Sequence, residues 1–204
     1  MKLLYAQPLP FVRKVMVVLE QAGAANSVEL VDGFGSPVAP NPAVTGINPI
    51  GKIPCLILDD GTALYDSRVI CRYLDRQHAL GLYPTGDTEW ATLCLEAHAD
   101  GMLDAGISCI YELRCREEGE RSETWRDGQR EKIARGLDIL EDQWVPHLNG
   151  ALDIGQIAVG CVFGFLDFRK DMGGWPDWRA GHPGLTAWGE AFAQRASMQA
   201  TAQQ

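Results

Sequence analysis

Residues 48–61, Asn-Pro-Ile-Gly-Lys-Ile-Pro-Cys-Leu-Ile-Leu-Asp-Asp-Gly, followed five positions on by Asp66-Ser67, decide how the first half of the chain is read. Two apolar runs, Pro54–Leu58 and Ala63–Tyr65, flank Asp59-Asp60-Gly61. That is a hairpin signal, because Asp and Gly supply the turn conformations that bring two strands back together. Pro54 has no N–H to give a ladder, so it suits the opening of a strand. An X-Pro bond tolerates cis, and a cis Ile53–Pro54 bond would turn the Ile53 backbone outward with its N–H and C=O free. Two such groups can pair with an extended peptide as an added strand does. Asp66 and Ser67 stand at a helix start, where open N–H groups and the helix dipole favour a carboxylate. Ser67 can hydrogen-bond that carboxylate and Asp66 can pair with an ammonium group. Taken singly, Ser67 is a helix cap and Pro54 a strand start; together at this spacing they favour binding.

Upstream, Lys2–Tyr5 is a short strand and Pro8-Leu9-Pro10 a turn. Val12, Val15, Met16 and Leu19 then recur at i, i+3, i+4, i+7, which predicts an amphipathic helix ending near Gly23. Val28–Val31 is a second strand, and the Pro- and Gly-rich stretch from Gly33 to Asn48 has room for a short helix only. Ile70, Tyr73 and Leu74 carry the helix after Ser67. The predicted order is β-α-β-(α)-β-β-α over residues 1–79, with a linker at 80–86.

Beyond the linker the strand signals stop, and residues 87–204 read as all-helical: an α/β domain is followed by an all-α one. Helices are predicted over Glu89–Glu118, Ser122–Trp144, Asp153–Phe168 and Pro183–Arg195, with a polar tail after Ala196. Ala97, Gly101 and Ala105 form a small-residue stripe that allows a close helix contact. Ile133, Leu137, Leu140 and Trp144 share one face of the second helix. The third is apolar all round and should be the buried centre, with Asp153 and Gln156 at capping-box spacing.

Charge and composition narrow the function. The net charge of −9 argues against nucleic acid or an anionic membrane as partner, since both need a basic face. The imbalance is local: residues 1–80 carry seven basic and seven acidic side chains, residues 81–204 eleven and twenty. No run reaches the roughly 18–20 apolar residues of a membrane span. No signal-peptide core precedes Pro8. A cytosolic location follows as the expectation, with the six cysteines as reduced thiols. Neither the cysteines nor the four scattered histidines have zinc-ligand spacing, so no metal is expected.

The blocks NPIGKIPCLILDDG (48–61) and LYDSRVICRYL (64–74) resemble the glutathione-binding half of the glutathione S-transferase family. PFVRKV (10–15) resembles the start of the first helix in bacterial members, and residues 99–106, 129–133 and 153–169 resemble the helical half. The resemblance implies a thioredoxin-like domain followed by a helical domain, a homodimer, and glutathione as cosubstrate. It implies that Ile53, beside Pro54, pairs with the cysteinyl backbone of glutathione. Lys52 would lie near the glycyl carboxylate, and Asp66 and Ser67 would hold the γ-glutamyl end. Asp100 matches an acidic residue that in some classes reaches the γ-glutamyl amine bound by the other subunit. The implied activity is conjugation of the glutathione thiol to small hydrophobic electrophiles, a detoxification chemistry, with Met102 and Tyr111 as candidates to line the electrophile pocket.

Such chemistry needs a thiolate. A free thiol has a pKa near 8.5, so only a few per cent is ionised at pH 7. Family members place Ser, Tyr or Cys at the end of the first strand or in the turn after it, and similar bacterial sequences have serine directly before Pro-Phe-Val-Arg-Lys. Here that position is Leu9, which donates nothing. Gln7, with its amide, and Tyr5, with its phenol, are the remaining side-chain candidates. The absence of a cysteine there weakens a glutathione-dependent disulfide reductase. The competing class is a non-catalytic glutathione-binding or protein-interaction module. His98 reads as a packed or interface histidine, and Cys55 and Cys71 as small buried hydrophobes.

Overall fold

The first strand, β1, spans Lys2–Tyr5 and buries Leu3 and Leu4. The structure, a computed structural model, describes residues 1–203, which form two units, residues 1–83 and 84–203. In the first, β1 pairs in parallel with β2 (Glu29–Asp32) and antiparallel with β3 (Cys55–Ile57), which pairs antiparallel with β4 (Ala63–Leu64). The sheet order is β2-β1-β3-β4. Helix α1 (Pro10–Gln21) crosses from β1 to β2, α2 is the single turn Pro42–Thr45, and α3 (Ser67–His78) follows the hairpin. This is the thioredoxin-like arrangement the sequence implied.

Local chemistry sets each boundary. The hairpin closes where Leu58 N–H donates to Thr62 O at 2.8 Å and Thr62 N–H to the Asp60 carboxylate at 2.9 Å. Helix α3 is capped by Asp66, whose carboxylate accepts from Arg68 N–H at 3.0 Å, so Ser67 is the first helical residue rather than the cap. Burial on α1 is wider than the periodicity suggested, because it takes in Arg13, Lys14, Val17 and Val18. The linker's first residues are tied to this unit: Leu82 N–H donates to the buried Asp75 carboxylate at 2.6 Å.

The second unit is helical throughout. Its helices are α4 (Glu89–Arg114), α5 (Glu123–Ile139), α6 (Val145–Leu148), α7 (Ile154–Gly173), α8 (Pro183–Ala193) and α9 (Ala196–Ala200). Helix α7 is the buried centre, with Ile154 to Phe163 buried without interruption. Four expectations are corrected. Helix α4 stops four residues early, where Glu112 accepts from both Arg116 Nε at 2.8 Å and Ser122 N–H at 2.9 Å and folds the chain back. The predicted 122–144 helix widens into a π-turn at Leu140–Trp144, two residues before Pro146, whose ring removes a donor from the ladder. The tail after Ala196 is helical and buries Ser197 and Met198. The capping box is half made. Asp153 accepts from Gln156 N–H at 3.1 Å, but the Gln156 amide donates instead to the carbonyls of Ala151 and His147.

The close contacts of α4 also differ from the predicted stripe. Gly101 faces open space, whereas a Cβ on Gly106 would lie 2.5 Å from the Phe165 ring of α7. Met102 has its sulfur against Gly136 of α5. Small residues thus admit large ones at Gly106 and Gly136, while Ala97 and Gly101 remain exposed.

Candidate functional site

The turn after β1 and the loop before β3 meet because their strands are neighbours. The antiparallel register pairs Leu4 with Cys55, which sets Ile53 level with Ala6, the first residue past the end of β1. Gly33 joins the two: its N–H donates to Tyr5 O at 2.8 Å, and a Cβ there would lie 3.0 Å from Ile53 Cγ2. The Ile53 side chain packs against the cluster of Leu4, Val44 and Cys55. Its N–H and C=O find no partner among the described residues, so an anchored side chain presents an open backbone edge. The Ile53–Pro54 bond is cis, and so is Tyr65–Asp66.

Asn48 shapes this loop. It is 2% exposed. Its amide donates to Lys52 O at 2.7 Å, and its carbonyl oxygen accepts from Ile50 N–H at 3.1 Å. Pinned at both ends, the 48–52 segment delivers Lys52, exposed and without an ion pair among the described residues, next to Ile53. The sequence signal for this role is an Asn before Pro in a turn, where Asx bonds to nearby amides are common.

At the start of α3, Ser67 is 3% exposed, yet its hydroxyl makes no hydrogen bond among the described residues. Asp66 is half-exposed and bonds Arg68 Nη2 at 2.8 Å. Burial pushes its carboxyl up, but the Arg68 hydrogen bond and charge, its amide, and the charge of Lys14 together hold it below its ordinary value. Lys14, which the sequence reading passed over, is fully buried on α1. Its position is legible in hindsight, because Lys14 lies one helical turn from the buried residues Pro10 and Val18.

The β1–α1 turn is poor in donors. Leu9 is the helix N-cap and has no side-chain bond to offer. Its own N–H is used on Ala6 O at 3.2 Å. Pro8 and Pro10 have none. The Phe11 and Val12 amides have no acceptor among the described residues, and the Gln7 amide is exposed. Tyr5 is half-buried, and burial pushes its phenol above the ordinary value, away from use as a base.

The other candidates lie on α4. Asp100 is 6% exposed, which leaves little of it for a second copy to meet. Met102, a candidate for the electrophile pocket, is 4% exposed, and its sulfur fills the space that Gly136 leaves. Tyr111 is half-buried, and burial raises its phenol. His98 Nε2–H donates to Gly136 O at 3.0 Å, since a carbonyl only accepts, and the ring is a packing element. Cys55 and Cys71 are buried and all six cysteines are free. No group of three or more metal-ligating side chains forms among the described residues.

The comparisons with known proteins bear on both units. The family model described as the glutathione S-transferase N-terminal domain matches residues 10–77, and that of the C-terminal domain matches residues 123–191. The chain is 33% identical over 179 residues to the uncharacterized GST-like protein YibF of Escherichia coli K12, covering 86% of each. A crystal structure of a glutathione transferase family member from Pseudomonas fluorescens Pf-5 with bound glutathione is 45% identical, with a TM-score of 0.93 over 98% of this chain and 97% of that one. Another, with bound S-(propanoic acid)-glutathione, is 43% identical, with a TM-score of 0.89 over the whole of both chains.

Proposed function

The chain belongs to the glutathione S-transferase family, and we propose that it binds glutathione on the β3–α3 side of its first unit and conjugates it slowly to small hydrophobic electrophiles. One observation carries the reading: the first unit holds both an open Ile53 backbone and, at the N-terminus of α3, a solvent-reached Ser67 hydroxyl that makes no hydrogen bond among the described residues. The first suits a peptide backbone and the second a carboxylate, and glutathione has both. Ile53 pairs with the cysteinyl residue, next to Pro54. Ser67 takes the γ-glutamyl carboxylate, Asp66 its ammonium group, and Lys52 the glycyl carboxylate. The bound glutathione and thioether of the Pseudomonas relatives support this assignment.

Isothermal calorimetry tests it. Wild type should bind glutathione, and Ser67→Ala should bind more weakly by about 1–3 kcal/mol, the range for a hydrogen bond to a charged group. No heat of binding from the wild type would sink the reading.

Leu9 favours a second reading, a glutathione-binding module without catalysis, and a conjugation assay with an aromatic electrophile separates the two. Tyr111 is the residue assigned to the electrophile side, and Tyr5 and Gln7 are those left to approach the sulfur. We further propose a cytosolic homodimer through the α4 face that exposes Ala97 and Gly101, the helix that carries Asp100; the free cysteines suit a reducing compartment. Light scattering that gave a monomer at micromolar concentration would remove the dimer.

A further inference from the structure

Arg114, the last residue of α4, and Arg169, near the end of α7, stand close together, and neither has a carboxylate partner among the described residues. The setting makes this unusual. Residues 81–204 carry eleven basic and twenty acidic side chains, and Arg116, Arg126, Arg130, Arg135 and Arg179 each hold a carboxylate. Packing brings the two arginines together. Helices α4 and α7 run in the same direction, with Leu95 against Gly155 and Gly106 against Phe165. One turn further along both, Arg169 is level with Ile110, and Arg114 leans back toward it because helical side chains tilt toward the N-terminus. Burial lowers the pKa of the half-buried Arg169, and the charge of Arg114 lowers it further. The carbonyls of Met172 and Gly173, which end α7, already accept from Arg126 and Arg130, and Glu112 and Glu123 are held by other arginines. Two like charges in this position repel until an anion joins them. Tyr111 lies one turn before Arg114, whose charge reaches it; the side chain is half-buried and its phenol makes no hydrogen bond among the described residues. Arg169 Cζ lies 4.3 Å from the centre of the Phe168 ring, and its Nη1 gives a weak contact to Met172 Sδ at 3.8 Å, which leaves most of its planar fork of donors open. We infer that α4 and α7 form a site for an aromatic carboxylate, its charge between Arg114 and Arg169 and its ring beside Tyr111, Phe168 and Met172. The site lies within the second unit and stands without the glutathione reading; where that reading holds, it gives the electrophile assigned to Tyr111 a carboxylate.

Calorimetry on the whole chain, without glutathione and at fixed ionic strength, compares benzoate with its neutral counterpart benzamide. Benzoate should bind, and benzamide should bind about tenfold more weakly or worse, because a hydrogen bond to a charged group is worth roughly ten- to a hundredfold. Arg114→Gln and Arg169→Gln should each weaken benzoate by about tenfold or more. In thermal unfolding, benzoate should raise the midpoint of the wild type and leave that of Arg114→Gln unmoved. Equal affinity for the two ligands, or benzoate held by Arg114→Gln as tightly as by wild type, would overturn the inference. No heat from benzoate would overturn it too, and would leave standing the glutathione reading, which titration with glutathione tests by itself. Arg114 is exposed at a helix end, so its variant decides the question even where Arg169→Gln fails to fold.

Discussion

Asp153→Ala should unfold the helical unit at much lower denaturant, and the structure gives the size of the effect. Asp153 is 6% exposed and its two oxygens serve three donors. Oδ1 accepts from Gln156 N–H at 3.1 Å and so caps α7, the central helix. Oδ2 accepts from Thr92 Oγ at 2.7 Å and from His147 Nε2 at 2.7 Å, joining the first turn of α4 and the end of α6 to the same cap. Loss of the cap costs about 1 kcal/mol. Thr92 is 1% exposed, so water cannot replace its acceptor, and an orphaned buried hydroxyl costs about 1–3 kcal/mol. The His147 side chain is 22% exposed and can turn to solvent, which keeps its share below about 1 kcal/mol. The total is about 3 kcal/mol, or roughly 6–12 °C in Tm at this chain length. All six tryptophans lie between residues 90 and 188, so their fluorescence in a urea titration reports on this unit. Thr92→Val should cost less than Asp153→Ala and almost nothing in its background, because the hydroxyl then has no acceptor to lose. A loss below about 1 kcal/mol for Asp153→Ala, or strict additivity of the two, would refute the assignment of this carboxylate as the junction of three helices.

Gly106→Ala and Gly101→Ala should move stability in opposite directions on one helix. The first drives a methyl to 2.5 Å from the Phe165 ring and should lose about 1–2 kcal/mol net of the better helix propensity. The second meets open space within the single chain and should gain about 0.5–1 kcal/mol by thermal melting of the monomer, at concentrations too low for a dimer to form. Glutathione affinity followed from pH 7 to 3 should hold until Asp66 protonates, below the ordinary carboxyl value near 3.9, because its folded pKa is depressed. Arg68→Ala removes the strongest lowering partner, so the acid limb should move to higher pH; an unmoved limb would dissociate Asp66 from binding. Leu9→Ser should raise the rate of conjugation to an aromatic electrophile by about ten- to a hundredfold, the worth of one hydrogen bond to a charged sulfur, measured by steady-state absorbance.

What could be read from the sequence was local. The Asp59-Asp60-Gly61 hairpin, the Asp66-Ser67 helix start and the apolar circumference of α7 each depend on residues within a few positions of one another, and the fold class follows from their order. The Ser67 cap was misplaced by one residue because Asp and Ser are both good caps and only the backbone decides between them. The misses are contacts across long separations. Glu141 accepts from the Gly184 and Leu185 amides at 2.9 and 2.8 Å, and so caps α8 from more than forty residues away. Gly106 against Phe165 and Leu95 against Gly155, not the Ala97–Ala105 stripe, are where α4 and α7 approach, because the facing residue decides, and it is invisible from α4's own sequence. Lys14 was passed over because a charged residue is assigned to the surface by default, although its helical phase put it among buried neighbours.

The same distinction would let the proposed site hold glutathione while activating its sulfur weakly. The features that suit glutathione are mostly backbone and helix terminus: the open Ile53 edge, held by Asn48 and by the packing of Ile53 on Leu4 and Val44, and the start of α3, held by the Asp66 cap. None of these depends on the side chain at position 9. Sulfur activation, by contrast, would rest on one side chain in a turn where Pro8 and Pro10 have no N–H and the Leu9 N–H is closed onto Ala6 O. Replacing a hydroxyl there with the Leu9 isobutyl group leaves the cradle's hydrogen bonds unchanged and alters only what the sulfur meets. On the proposed reading, binding and activation are separable in this fold by a single side chain.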